Sequence, residues 1–556
     1  MKPLKRFASL LLAVMLLATL LVFPASATGT YSITIKNTPR TFKAYQIFTG
    51  STFDADTNIL TGISWGTDID NADILDALKS GDILGNAYDS CTTAEEVAAV
   101  LVNKSGTDLD EFAKVVAAYL ESASVTAITS GQEVNVDGKR GYQITGLNRG
   151  YYLVVDTETP ALGNDQAYSK YIIQIANAST SIESKDAAPT MTKSVARADG
   201  VFGKAVSTTF SSLDNPETNK DAVTFRLEAK LHGRLADYGK YYMQFNDTMP
   251  VGLTYITDSL KVYVTNAGVN TELKDKNTSV ALYTFTPPAA PVNPADQQSI
   301  VVTIDDVKAA ILAATPAAAN ANDVIVVEYK AMLDTDAAIG TAGHGNVNAA
   351  YLKYSANPNE PLNYATATAQ TTIDHAHVYT YTLKLHKVDG ASPTKNLAGA
   401  KFILGRPGSS GDEYAVIVDD RIASWGAEGD ATELVTDSNG LVQVAGVASN
   451  ITYVLKETVA PPSYHPITEE LPFRITATAD AHGAISSMNV NTSNVHITSE
   501  NVDQANGVIT IKITNTMGTA LPTTGGMGTT LFYVAGSVMM LGAAAVLLAK
   551  KRFARG

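Results

Sequence analysis

Tyr379-Thr380-Tyr381-Thr382-Leu383-Lys384-Leu385-His386-Lys387 decides how the chain is read. Its odd positions are apolar and its even ones polar, the period of a strand with one buried and one wet face. The buried row is Tyr379, Tyr381, Leu383 and Leu385, and the next position on it is a lysine. The same break recurs twice downstream. Ile451, Tyr453 and Leu455 lead in register to Glu457, and Ile509, Ile511 and Ile513 lead to Asn515. A lysine, a carboxylate and an amide buried separately would cost several kcal/mol, so the pattern predicts that they meet. Burial lowers the lysine pKa and raises that of the acid. A neutral Lys387 amine could then attack the Asn515 amide with Glu457 as proton shuttle, expelling ammonia and leaving an isopeptide bond.

Most of residues 28–517 follows the same strand pattern, rich in Thr, Val, Ile and Tyr; Val223, Phe225, Leu227, Ala229 and Leu231 alternate with Thr224, Arg226, Glu228, Lys230 and His232. The expected fold class is mainly β, a tandem array of β-sandwich domains. Residues 68–122 are the exception. Ile74, Leu75 and Leu78, then Val97, Val100 and Leu101, then Phe112, Val115, Val116 and Tyr119 have helical spacing, which predicts a helical insertion in the first domain. Breaks near Ser184–Pro189 and Asp374–His377 divide the chain into domains over 28–185, 186–376 and 377–517. Ala/Pro/Asn-rich stretches at Pro287–Gln298 and Ala313–Asp323 read as surface loops of the middle domain.

The middle domain repeats the inward polar set. Met191, Lys193 and Val195 share one face; Tyr241, Met243, Phe245 and Asp247 a second; Asn348, Ala350, Leu352 and Tyr354 a third, with Asn346 at the same parity as Asn348. In the first domain Asp156 and Asn177 sit comparably, but Lys36 falls on the polar face beside Thr34, out of register with Ile33 and Ile35. A lysine, an acid and an asparagine thus point inward in the middle and last domains, and in the first domain the lysine does not.

The termini supply an address. Lys2, Lys5 and Arg6, the apolar run Ala8–Phe23 and Ala25-Ser26-Ala27 form a secretory signal over 1–27. Residues 521–556 hold Leu521-Pro522-Thr523-Thr524-Gly525, then apolar Leu531–Ala549, then the basic Lys550-Lys551-Arg552-Phe553-Ala554-Arg555, a membrane span with its tail held inside. Without these termini seven basic residues and no acid are lost, and the formal charge moves from −14 to −21. That balance excludes a nucleic-acid partner. With Cys91 as its one cysteine the chain has no internal disulfide. Gly62-Ile63-Ser64-Trp65-Gly66 fits the nucleophile-elbow spacing without its strand–turn–helix context, and Asp54, Asp56 and Asn58 begin like a calcium loop whose Gly and Glu are replaced by Ile59 and Trp65. No zinc spacing, cofactor motif or catalytic constellation is present, so the chain is not read as an enzyme.

Leu521–Gly525 with its span and basic tail resembles the LPxTG cell-wall sorting signal of Gram-positive surface proteins. Leu385–Asp389, Leu397-Ala398-Gly399-Ala400-Lys401-Phe402, Asp437-Ser438-Asn439-Gly440, Tyr453-Val454-Leu455-Lys456-Glu457-Thr458 and Ala460-Pro461 resemble a Cna-B-type domain, whose fold is an immunoglobulin-like sandwich. Ser463 stands where that family usually has Gly, and Ser449-Asn450 replaces another Gly turn. Asn246–Leu253, Gly345–Asn348 and Tyr354–Pro358 are similar to the middle domain of pilus backbone subunits, and Phe42–Gly50 with Gly62–Gly66 to the start of their first domain. The resemblance implies a major pilin with Lys387–Asn515 and Lys193–Asn348 bonds, Glu457 and Asp247 being the catalysing acids. It implies that sortase cleaves Thr524–Gly525 and joins Thr524 to a lysine of the next subunit. Ile182-Glu183-Ser184-Lys185 stands where the family carries that lysine, so Lys185 is expected, with Lys170 as substitute. Implied partners are a class C pilus sortase, a housekeeping sortase, further pilin subunits, peptidoglycan and a host surface ligand. The alternatives are a wall-anchored adhesin that is never polymerised, or a minor basal or tip pilin.

Overall fold

The computed structural model describes residues 31–54, 59–80, 86–101, 104, 107–157, 161–175, 178–184, 187–197, 200–210, 221–288, 296–359, 363–408, 411–518 and 528–554. The expected signal segment, Asp56 and Asn58, Asn177, Lys185 and the Leu521–Gly525 motif lie outside them.

Strands dominate. In the N-terminal region, Tyr31–Lys36 pairs with Lys139–Leu147 and with Thr180–Glu183 in one sheet, and a second sheet runs Ile59–Trp65, Phe42–Asp54, Gly150–Asp156, Lys170–Ile175. One face of this second sheet packs on Ile33, Ile35 and Ile144 of the first. Its other face packs on the helices Asn71–Ser80, Ala94–Leu101 and Thr107–Ala123 through Leu75, Leu78, Val97, Phe112 and Val116. Being covered on both sides explains why Leu153-Val154-Val155 is continuously apolar. The helical insertion lies where its spacing predicts.

The central region holds a pair of sheets that face each other over one core. One carries Val269–Glu272, Lys261–Asn266, Val324–Leu333, Val223–Lys230 and Thr190–Ala196 in that order. The other runs Ala205–Ser207, Asp374–Tyr379, Asn346–Ser355, Met243–Met249, Gln298–Ile304, Thr284–Thr286. The break expected at Asp374–His377 is instead the second strand of that sheet, paired with Asn346–Ala350. Only Thr380 separates it from the strand Tyr381–Asp389 of the C-terminal region, too short a joint to leave a compositional trace. A short helix, Val307–Ala314, capped by Asp306 accepting from the Lys308 N–H, precedes the expected loop.

The C-terminal region is a ribbon of strands closed round Leu383, Leu385, Phe402, Tyr453, Leu455, Ile509, Ile511 and Ile513. Its first strand, Tyr381–Asp389, lies parallel to Val508–Asn515, in register from Thr382↔Val508 to Asp389↔Asn515. Buried polar contacts join the three regions. Arg406 makes two 2.7 Å bonds to Asp221, the Ser449 N–H donates to Ser207 Oγ, and the Tyr168 N–H donates to the Ala356 carbonyl at 2.7 Å. A helix over Gly528–Phe553 contains a stretch, Leu531–Phe553, long and apolar enough to cross a membrane.

Candidate functional site

In the last domain strand parity carries Lys387 inward behind Tyr381, Leu383 and Leu385, and its side chain is fully buried. Asn515 follows Ile509, Ile511 and Ile513 inward in the same way. Since Lys387 is paired with Ile513, Asn515 is the next residue on the same face of the neighbouring strand. Glu457, half-buried at the end of the Tyr453, Leu455 row on Thr452–Val459, meets them from across the core. Lys387 Nζ donates to the Ile513 carbonyl at 3.2 Å. Asn515 Nδ2 donates to both Glu457 oxygens, at 3.1 and 3.0 Å, and to the His465 carbonyl at 2.8 Å, while its Oδ1 accepts no bond. Glu457 Oε2 also accepts from the Ile467 N–H at 2.7 Å. Desolvation lowers the Lys387 pKa to about 8, with the charge of Glu457 opposing the shift. About a tenth of the amine is then neutral at pH 7, against about one in three thousand for a free lysine.

The two turns in which glycine is replaced keep glycine's conformation. Ser463 has φ +73° and Asn450 φ +62°, in the left-handed region. Ser463 and its neighbours also anchor the end of the domain. The Gly518 N–H donates to the Ser463 carbonyl and the His465 N–H to the Thr516 carbonyl, both at 3.0 Å, which frames Asn515.

The middle domain assembles its set differently. Lys193 comes from Thr190–Ala196 in one sheet, while Asp247 on Met243–Met249 and Asn348 on Asn346–Ser355 lie on adjacent strands of the facing sheet, Asp247 opposite Ala350 and diagonal to Asn348. Lys193 and Asp247 form an ion pair, and neither exposes more than 2% of its surface. Desolvation pushes the lysine pKa down and the aspartate pKa up, each opposed by the partner's charge. The ammonium lies 5.1 Å from the Phe225 ring centre and 5.8 Å from that of Tyr329. Between acid and amide stands a residue the parity argument missed. Tyr329 Oη donates to Asp247 Oδ2 at 2.9 Å and accepts from Asn348 Nδ2 at 2.6 Å. Asn348 also contributes weakly to holding the Asp247 pKa down. Asp247 Oδ1 and Asn348 Oδ1 have no hydrogen-bond partner. Asn346 is engaged elsewhere. Its Nδ2 donates to the Ala338 and Val378 carbonyls and its Oδ1 accepts from the Ala338 N–H.

The first domain brings no such set together among the described residues. Asp156 is paired with the buried Arg40, which itself lies 4.4 Å from the Tyr168 ring centre, and Lys36 is half-exposed, 4.0 Å from Asp137. Lys170, the expected substitute linking residue, is buried at the junction with the middle domain, where Nζ donates to the Asp237 carbonyl at 2.9 Å and the Pro358 carbonyl at 3.2 Å. Ser64 lies within the strand Ile59–Trp65, with no helix directly after it to make a nucleophile elbow. Among the described residues no group of three or more His, Cys, Asp or Glu could hold a metal ion.

Each assembled set brings a nucleophile, an amide and an acid to one place, with lysine and asparagine fully buried, which is what amine-for-ammonia exchange on an amide requires.

No curated protein matches the chain. It is similar in structure to the T6 backbone pilin of serotype M6 Streptococcus pyogenes, with 15% identity over 89% of this chain and 100% of that one and a TM-score of 0.49. It is also similar to the full-length major pilin SpaD of Corynebacterium diphtheriae (15% identity, 89% and 99% covered, TM-score 0.42) and to the group B streptococcus pilus 2b backbone protein (21%, 60% and 99%, 0.39). Residues 381–492, which include Lys387 and Glu457 and stop short of Asn515, match the family model described as SpaA, prealbumin-like fold domain.

Proposed function

We propose that this chain is the shaft subunit of a covalent, sortase-assembled pilus on a Gram-positive cell wall, serving adhesion and stapled internally by Lys387–Asn515 and Lys193–Asn348 isopeptide bonds. The observation that carries the reading is the convergence, in two successive sandwiches, of a buried lysine, an acid and an asparagine amide. The match of residues 381–492 and the sorting-signal order of Leu521–Gly525, apolar helix and basic tail support it.

In each domain the neutral lysine amine attacks the asparagine Cγ, the acid receives the amine proton and returns one to the leaving nitrogen, and ammonia departs. Glu457 touches that nitrogen directly. Near the C-terminus a pilus sortase takes Thr524 as an acyl-enzyme while the helix holds the substrate at the membrane; the Lys185 amine of a neighbouring subunit resolves it, and a housekeeping sortase joins the last subunit to peptidoglycan. Tension along such a fibre runs through covalent bonds, the role disulfides would fill in a chain with more than one cysteine.

The reading is tested by denaturing electrophoresis of cell-wall extracts. Wild type gives a ladder of SDS-resistant oligomers and Lys185→Ala gives monomer only. A wall-linked monomer in wild type would overturn polymerisation and leave a single-subunit adhesin.

A further inference from the structure

We propose that Tyr329 is a catalytic residue of the middle-domain bond, carrying the proton from Asp247 to the leaving nitrogen of Asn348. The inference rests on the reading that Lys193 and Asn348 become joined. A buried tyrosine hydroxyl needs one partner to be satisfied. Tyr329 Oη has two, and they are the acid and the nitrogen that departs, at 2.9 and 2.6 Å. At the other site the acid needs no intermediary. Glu457 spans to Asn515 Nδ2 itself, at 3.0 and 3.1 Å. Aspartate is one methylene shorter, and the phenol occupies the interval.

Within the ion pair Lys193 first passes a proton to Asp247, leaving a neutral amine and a neutral acid. Nζ attacks Cγ of Asn348, the N–C bond forms and the carbonyl pair moves onto Oδ1. Nδ2 takes the Oη proton while Asp247 replaces it, so no tyrosinate forms; burial beside Asp247 would strongly disfavour one. Collapse breaks Cγ–Nδ2 and ammonia leaves. The surplus proton on Nζ passes to the Asp247 carboxylate, leaving a neutral amide beside a neutral acid.

The test is synthesis of the full chain in a cell-free system, quenched at intervals, with the Lys193–Asn348 and Lys387–Asn515 cross-linked peptides quantified by mass spectrometry. Tyr329→Phe is expected to slow the first bond by about 100-fold, the general acid–base range, and to leave the second at its wild-type rate. Adding Asp247→Glu, which gives the acid the reach of Glu457, is expected to recover much of that loss. A Tyr329→Phe chain that forms the first bond at the wild-type rate overturns the relay. Should that variant fail to fold, site-specific 3-fluorotyrosine at position 329 keeps the shape and makes the phenol more acidic. A changed rate of the first bond alone supports the relay, and an unchanged one overturns it. A wild-type chain with no Lys193–Asn348 peptide overturns the reading beneath it, a result distinct from a fast Tyr329→Phe.

Discussion

The middle and last domains bring the same three residue types together by different means. In the last domain lysine and asparagine lie on adjacent parallel strands, and the acid reaches in from across the core. In the middle domain acid and asparagine are neighbours in one sheet and the lysine arrives from the sheet opposite. One bond would fasten neighbouring strands and the other would fasten two layers. The electrostatics divide along the same line. Lys193 already holds its acid in an ion pair, whereas Lys387 holds a backbone carbonyl and has its pKa lowered by burial against the charge of Glu457. On the proposed reading the residue triplet would set the product, while the path of the proton would be set by the surroundings.

The contrast is tested most severely by removing each lysine. Lys193→Ala would abolish the proposed bond and strand Asp247 in the core, so the middle domain should lose the stabilisation of a long-loop cross-link, about 4–5 kcal/mol, and about 3–5 kcal/mol more for the orphaned acid. Lys387→Ala leaves only a half-buried Glu457 behind and should cost the cross-link contribution alone. Equal losses in denaturant melts of the two variants would erase the distinction.

Next come the acids. Asp247→Asn and Glu457→Gln should each slow bond formation about 10²–10⁴-fold, seen as one ammonia, about 17 Da, retained in the intact mass. The retained mass should map to the altered domain; loss of both bonds in either variant would mean the sites are not independent.

A smaller effect separates the sites by pH. The rate of the Lys387–Asn515 bond should climb through pH 8 as the amine loses its proton. The Lys193–Asn348 rate should vary less there, since its proton moves within an ion pair. In Asn515→Ala, which cannot cross-link, the folded state holds the Lys387 proton less tightly than the unfolded chain. Unfolding then takes up protons between pH 8 and 10.5, and stability should rise with pH across that window. A flat or falling melting midpoint would contradict the buried amine. Smallest is Asn346→Ala, expected to keep the full ammonia loss and cost about 1–3 kcal/mol for the backbone groups it leaves unbonded; a retained ammonia would transfer the reaction to Asn346.

Strand parity turned Lys387, Asn515, Lys193 and Asp247 inward because each breaks or ends an apolar row, and a buried polar group in such a row stands out. Tyr329 escaped the same test. In Ile325, Val327, Tyr329, Ala331 it continues the row, and only the hydroxyl's partners distinguish it from a core aromatic. Parity left Asn346 and Asn348 equivalent, because the difference is which amide the backbone of Ala338 and Val378 consumes. The strand Asp374–Tyr379 was hidden because Asp374, His375 and His377 read as a break, although Asp374 pairs with Lys204 and His377 lies against the last domain at Gly483.

The parallel pairing of Tyr381–Asp389 with Val508–Asn515 also orders events in time. Emerging from a translocon with its N-terminus leading, the first strand has no final neighbour until nearly the whole domain has followed, and closing so long a loop is slow. Lys387 cannot meet its amide before that closure. The proposed amide exchange would thus be a timestamp written only on chains that have finished folding, a few residues before the Leu521 motif that a sortase would read.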